Sequence, residues 1–198
     1  MSVKDFVQQR RDALIAMRRD FHMYPEPAWL EYRSAAKVAN TLISLGYDVA
    51  LGADVLDLDS RMGLPSDEVM KAGMDRAIKE GANPELVEKM GYGKTAIVAT
   101  MKFGGESPVV AFRVDMDSND VIEAKEDSHV PTKKGFRSCH DKAMHACGHD
   151  AHMTMGLGLA EYLAAHKDEF KGTIKLIFQP AEEGVRGAKA MAEAGVVD

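Results

Sequence analysis

His145-Ala-Cys-Gly-His-Asp-Ala-His152 leads directly into a run of helical periodicity, with Leu157, Leu159, Ala160 and Leu163 on its apolar side, that extends to about His166. This run stands between two apolar strand patterns. Pro108–Val114 (Pro-Val-Val-Ala-Phe-Arg-Val) precedes it, and Thr173–Phe178 (Thr-Ile-Lys-Leu-Ile-Phe) follows it. A strand, a helix and a second strand in this order argue for an α/β architecture, here an α/β/α sandwich with a mixed sheet.

The same eight residues hold a thiol, three imidazoles and a carboxylate, a dense supply of metal ligands. On an extended loop Cys147 and His149 project to one side, and Gly148 lets the backbone turn tightly between them. His145 and His152 either join that site or stand behind it. Two further polar clusters sit at strand ends: Asp115-Met-Asp117 after one strand and Glu182-Glu183 after the other. In open α/β sheets ligands bind beyond the carboxyl ends of the strands, so the three clusters converge there. Adjacent glutamates point to different sides, which suits one as a metal ligand and the other as a general base. Taken singly, each has a plainer reading: an exposed acidic turn for the glutamates, a polar strand end for the aspartates, a buried small residue for the cysteine. A nucleophilic Cys147 is the rival chemistry.

The chain has 198 residues, enough for one domain with a real core, and a net charge of −6. The charge and the lack of a dense Lys/Arg patch argue against nucleic-acid and membrane-surface partners. No apolar run is long enough to span a bilayer, and Met1–Phe6 has no signal-peptide core, so the expected location is the cytoplasm. The two cysteines, Cys139 and Cys147, read as free thiols or ligands, with a disulfide between them as the alternative.

Residues 3–22 read as an amphipathic helix ended by Pro25 and Pro27, with Arg10, Arg11, Arg18 and Arg19 covering its outer side. A second helix is expected from Ser34, as N-cap, to Gly46, and a short strand at Tyr47–Leu51. Residues 54–91 read as a helical insertion, with starts after Pro65-Ser66 and after Asn83-Pro84. Thr95–Met101 is the next strand, and Gly104-Gly105 reads as the turn of a hairpin joining it to 108–114. A polar loop is expected to about Ser138, and a last helix at about Arg186–Ala194.

Phe-Arg-Val-Asp-Met-Asp (112–117), Met-His-Ala-Cys-Gly-His-Asp-Ala-His (144–152) and Leu-Ile-Phe-Gln-Pro-Ala-Glu-Glu-Gly (176–184) together resemble the metallopeptidases of family M20, and within it the amidohydrolase branch. Arg-Arg-Asp-Phe-His-Met-Tyr-Pro-Glu-Pro (18–27) is similar to that branch's N-terminal signature. The resemblance implies that Cys147, His149 and Glu183 are metal ligands and that Glu182 is the general base. It implies that Asp115 and Asp117 support the site, with Asp150, His145 and His152 around it. It implies two divalent ions, zinc or manganese, and hydrolysis of an N-acyl amino acid such as aminobenzoyl-glutamate. Family members are about twice as long. Residues 1–198 therefore correspond to the N-terminal part of a catalytic domain, without the lid or dimerisation domain and the C-terminal part. The resemblance thus predicts little activity for this chain alone, an uncovered sheet edge or apolar patch, and a homo-oligomer or a complementing C-terminal chain as partner. Ser118-Asn119 stand where the family has a small and an apolar residue, a change expected to alter packing without touching a ligand.

Overall fold

The computed structural model describes residues 1–105 and 107–198. Ser2 starts the first helix, α1 (Val3–Met23), by accepting a hydrogen bond from the Asp5 N–H at 3.2 Å. α2 (Tyr32–Ser44) begins two residues before the expected cap. Ser34 is not the N-cap; its N–H and that of Arg33 donate to the buried carboxylate of Glu26, at 2.7 and 2.8 Å. The orphan amides of the first turn are thus satisfied by a side chain from the preceding loop, which local cap chemistry does not reveal.

β1 (Asp48–Leu51) follows, and then the insertion with α3 (Asp67–Lys79) and α4 (Pro84–Lys89). Ser66 and Asn83 cap them as expected, accepting from Val69 N–H and Glu85 N–H. Next come β2 (Ile97–Lys102), β3 (Val109–Asp115), the single turn α5 (Val130–Lys133), α6 (His149–Ala165), β4 (Thr173–Gln179) and α7 (Gly187–Glu193).

The sheet order is β1-β2-β4-β3, with β4 antiparallel to β2 and parallel to β3. Gly104-Gly105 therefore does not close a hairpin. The α6 crossover delivers β4 into the space between β2 and β3, and the connection straddles its first residue. Phe103 N–H donates to Gly172 O (2.8 Å), and Thr173 N–H donates to Pro108 O (2.9 Å). A Cβ on Gly172 would lie 2.1 Å from Pro108 O, so only glycine fits this crossing.

Strand alternation divides the core. Ile97, Ala99, Leu176 and Phe178 face α2 and α6, with Val38, Leu42, Met153 and Leu157. Val98 and Ile177 face the other way, onto Trp29, Ala190 and Met191. Leu176 and Phe178 are completely buried, a gain of about 1.5–3 kcal/mol each. Helices thus flank the sheet on both faces, with α7 the slighter layer. α1 packs on the outer side of α6. Two of its arginines are engaged there, not simply solvated: Arg10 pairs with Glu161 and Arg18 with Asp150, both at 2.9 Å.

One edge of the sheet is bare. In β3, Val109, Val110 and Phe112 are 59, 39 and 41 % exposed. Beside them lies an apolar groove of about 700 Å³ lined by Phe6, Leu14, Phe112, Met155, Leu159 and Ile174. Among the described residues no helix is long and apolar enough to cross a membrane, and both cysteines are free thiols.

Candidate metal centre

β3 and β4 run parallel and end side by side, with Asp115 opposite Gln179. Two polar segments leave the sheet at this point. Asp117, 1 % exposed, turns back across the gap and accepts hydrogen bonds from the Glu182 N–H (3.0 Å) and the Glu183 N–H (2.9 Å), one on each carboxylate oxygen. The backbone of the Glu182-Glu183 pair is stapled by this one side chain. A second buried carboxylate supports the turn from beneath. Glu31 accepts from Ala181 N–H at 2.9 Å, Trp29 N–H at 3.0 Å and the Thr95 hydroxyl at 2.6 Å. Burial, then the negative charge of Asp117, pushes the Glu31 carboxyl up to about 8.

His149 is the first residue of α6. Gly148 before it takes φ 87°, a left-handed turn that brings the helix start against the strand end. The His149 Nδ1–H donates to the Asp117 carbonyl at 2.7 Å, which leaves Nε2 facing the Glu182 carboxylate at 3.6 Å. That division of the two ring nitrogens is the one a metal-binding imidazole needs. Burial pulls the His149 pKa down, but the side-chain and backbone bonds to Asp117 and the charges of Asp117 and Asp115 outweigh it and raise it to about 9. His152, one turn on, stacks on His149 at 5.1 Å and sits 3.4 Å from the Asp115 carboxylate.

Two three-residue clusters result, each with its ligand atoms within 4.8 Å of one another: Asp115, His149, His152 and His149, Glu182, Glu183. They share His149. Glu183 Oε1 is buried with no hydrogen-bond partner among the described residues. Leaving a carboxylate oxygen so is costly, and a divalent cation is the partner that this His/carboxylate donor set fits. Cys147 lies at the rim, exposed. Its thiol pKa is raised, first by the neighbouring Glu183 carboxylate, so it adjoins the second cluster without being one of its three residues.

Asp150 and His145 are placed differently. The Asp150 carboxylate points away from the clusters, to His22 Nδ1 at 2.7 Å and Arg18 Nε at 2.9 Å. His22 Nε2 meets the buried Glu123 at 2.9 Å, and His129 meets the same oxygen at 2.8 Å. Burial alone would lower the His22 pKa, but its two carboxylate partners raise it. Asp150 therefore anchors the start of α6 to α1. His145 is 3 % exposed, and burial depresses its pKa to about 4. Neither belongs to a cluster.

Asn119 overturns one expectation. It touches the candidate ligand: Nδ2 lies 3.5 Å from Cys147 Sγ, and Oδ1 accepts from the Ala146 and Cys147 N–H groups, both at 3.1 Å. Asn119, Glu31, His22 and Glu123 were not among the residues that the sequence singled out for roles. For His22 the signal was available, since it lies within the 18–27 stretch; an isolated Glu reads as surface.

Residues 111–198 match the peptidase family M20/M25/M40. The chain is 49 % identical over 197 residues to a p-aminobenzoyl-glutamate hydrolase subunit of Escherichia coli (strain K12), covering 100 % of this chain and 45 % of that protein. It superposes on the aminobenzoyl-glutamate utilization protein from Klebsiella pneumoniae with a TM-score of 0.83 at 41 % identity, over 100 % of this chain and 43 % of that one. A dinuclear metal binding peptidase of the M20 family from Bacillus subtilis gives a TM-score of 0.66 at 29 % identity, over 98 % of this chain and 41 % of that one. The chain thus spans less than half the length of the relatives it matches, corresponding to their N-terminal part.

Proposed function

We propose that this chain is a member of the M20/M25/M40 peptidase family and carries the N-terminal share of the metal centre of an amidohydrolase acting on an N-acyl amino acid of the aminobenzoyl-glutamate kind. The observation that carries the reading is the pair of clusters sharing His149, with Asp117 stapling the Glu182-Glu183 backbone between them. His149 has one free nitrogen, Nε2, for one ion, and the donors on either side of it leave ligands for a second, in keeping with the dinuclear Bacillus subtilis relative.

Cys147, His149 and Glu183 are the proposed ligands, with Asp115 and His152 adjoining. The thiol of Cys147 favours zinc over manganese. A bound divalent ion supplies Lewis acidity at the amide carbonyl and acidifies water. The chain's own residues do the rest. Glu182, its side chain 37 % exposed, faces the open side and serves as general base. It takes the proton of the attacking water as the C–O bond to the carbonyl carbon forms, and then returns it to the departing nitrogen as the amide C–N bond breaks. Asp117 keeps Glu182 and Glu183 in register, and Glu31 holds the turn beneath them.

The bare β3 edge and its groove support dependence on a complementing chain, and the Escherichia coli relative is itself one subunit of a hydrolase. The proposed compartment is the cytoplasm, in keeping with two free thiols. Mixing this chain with a C-terminal chain of an M20 relative, in zinc, should release p-aminobenzoate from aminobenzoyl-glutamate, and Glu182→Gln should abolish it. Release that survives Glu182→Gln, or none from any mixture, would overturn the reading.

A further inference from the structure

We propose that Glu80, Cys139 and His140 form a separate cation site, of the zinc class, that clips the helical insertion to the end of α1. Their ligand atoms lie within 4.8 Å of one another, and they share no residue with the Cys147–His149 centre. Each is held by a different part of the fold. Glu80 is the C-cap of α3, in the insertion. Cys139 is tied to the end of α1 by its N–H, which donates to Met23 O at 2.9 Å. His140 is tied to the loop after α1 by its ring.

The two nitrogens of the His140 ring are decisive. Nδ1 donates to Pro25 O at 2.7 Å, so its proton is committed to a carbonyl that can only accept. Nε2 sits 2.8 Å from Glu80 Oε1. In the neutral ring this places a nitrogen lone pair against a carboxylate oxygen. The contact is stable only with a positive charge between them. A proton is one such charge. A divalent cation that displaces it, with the contact opening by about 0.5 Å to tetrahedral spacing, also engages Cys139 Sγ. A carbonyl fixing the far nitrogen of the ring is the usual support of an imidazole that binds metal. The second Glu80 oxygen, Oε2, is buried and without a hydrogen-bond partner among the described residues, so a further acceptor faces inward.

One of the two nearby guanidinium groups is balanced by another carboxylate. Arg33 makes two bonds to Asp20, at 3.0 and 2.9 Å, whereas the Nε and Nη2 of Arg76 are buried without a hydrogen-bond partner among the described residues. A thiolate, an imidazole and a carboxylate make a mixed set that suits zinc or cobalt better than magnesium or calcium. Three protein ligands leave one tetrahedral position for water.

The test uses the Cys147→Ser chain, in which Cys139 is the sole remaining thiol. Titration with Co²⁺ should give a sulfur-to-cobalt charge-transfer band, and the further substitution His140→Gln should remove it. A band that survives His140→Gln, or no band at all, would overturn the proposal. A second readout needs no change at the site. Zinc at ten times its dissociation constant should slow alkylation of Cys139 about tenfold, because only the unliganded fraction reacts. An unchanged alkylation rate in saturating zinc would also overturn it. Neither readout involves hydrolysis, so its failure leaves the proposed function standing.

Discussion

β3 has two different surroundings along its length. From Val109 to Arg113 it is exposed; at Val114 and Asp115 it is buried. The exposed half faces an apolar groove. The buried half runs into Asp117, which fastens Glu182 and Glu183, and into the His149 turn. Both halves pair with β4 in one register, so pairing does not account for the difference. The difference is that the site end is completed by contacts from within this chain, whereas the edge is not. Binding of metal at one end and binding of a partner along the other should therefore be separable.

The largest effect expected concerns the buried carboxylate beneath the site. The folded pKa of Glu31, about 8, lies above its ordinary 4.5, so the folded state holds a proton that the unfolded chain gives up. Stability of the metal-free chain should fall as pH rises from about 5 to about 8, by on the order of 4 kcal/mol from this group. Urea denaturation across that range measures it, and Glu31→Gln should flatten the slope. The part that remains is assigned to His22 and His149, whose pKa values are also raised. A wild-type slope of opposite sign would break the account of the site end.

Next is Asp117→Ala, which removes two charge-assisted bonds to backbone amides at a cost of about 3 kcal/mol. Metal affinity should fall with it in titration calorimetry, while association through the β3 edge stays as it was. His22→Gln, which cuts the ties of α1 to Asp150 and Glu123, should cost about 2 kcal/mol at pH 6. Because the His22 pKa is raised, the stabilisation is complete below 6.5 and is lost as pH rises through the folded value. Melts of wild type and variant should thus converge at alkaline pH. The smallest effect belongs to the bare half. Val110→Lys should change stability by less than about 0.5 kcal/mol, since edge strands tolerate lysine. It should leave metal binding alone and abolish complementation by a C-terminal chain, read by sedimentation.

The same contrast governs how much was legible in the sequence. Elements with local signals were: Ser66 and Asn83 cap the insertion helices, and the apolar alternation of Ile97–Met101 and Leu176–Phe178 matches the two core faces. The convergence of Asp115, His149 and Glu182-Glu183 followed from strand ends alone. The entry of β4 between β2 and β3 was not legible, because strand order is decided by the helical crossover and not by the Gly104-Gly105 turn. Glu26 and Glu31 were missed for a related reason. Each is a carboxylate bound mainly by backbone amides, and those leave no mark on composition or period. Asn119 was read as packing because its contacts to the 146–147 turn come from a residue distant in sequence.

The site end of this chain is formed by its own residues, without a partner. Elemental analysis of the chain purified without chelator, beside its Cys147→Ala, His149→Ala variant, tests it most directly. The prediction is that the double substitution removes about one to two equivalents of divalent metal from an otherwise folded chain. Equal metal content in the two proteins would contradict it.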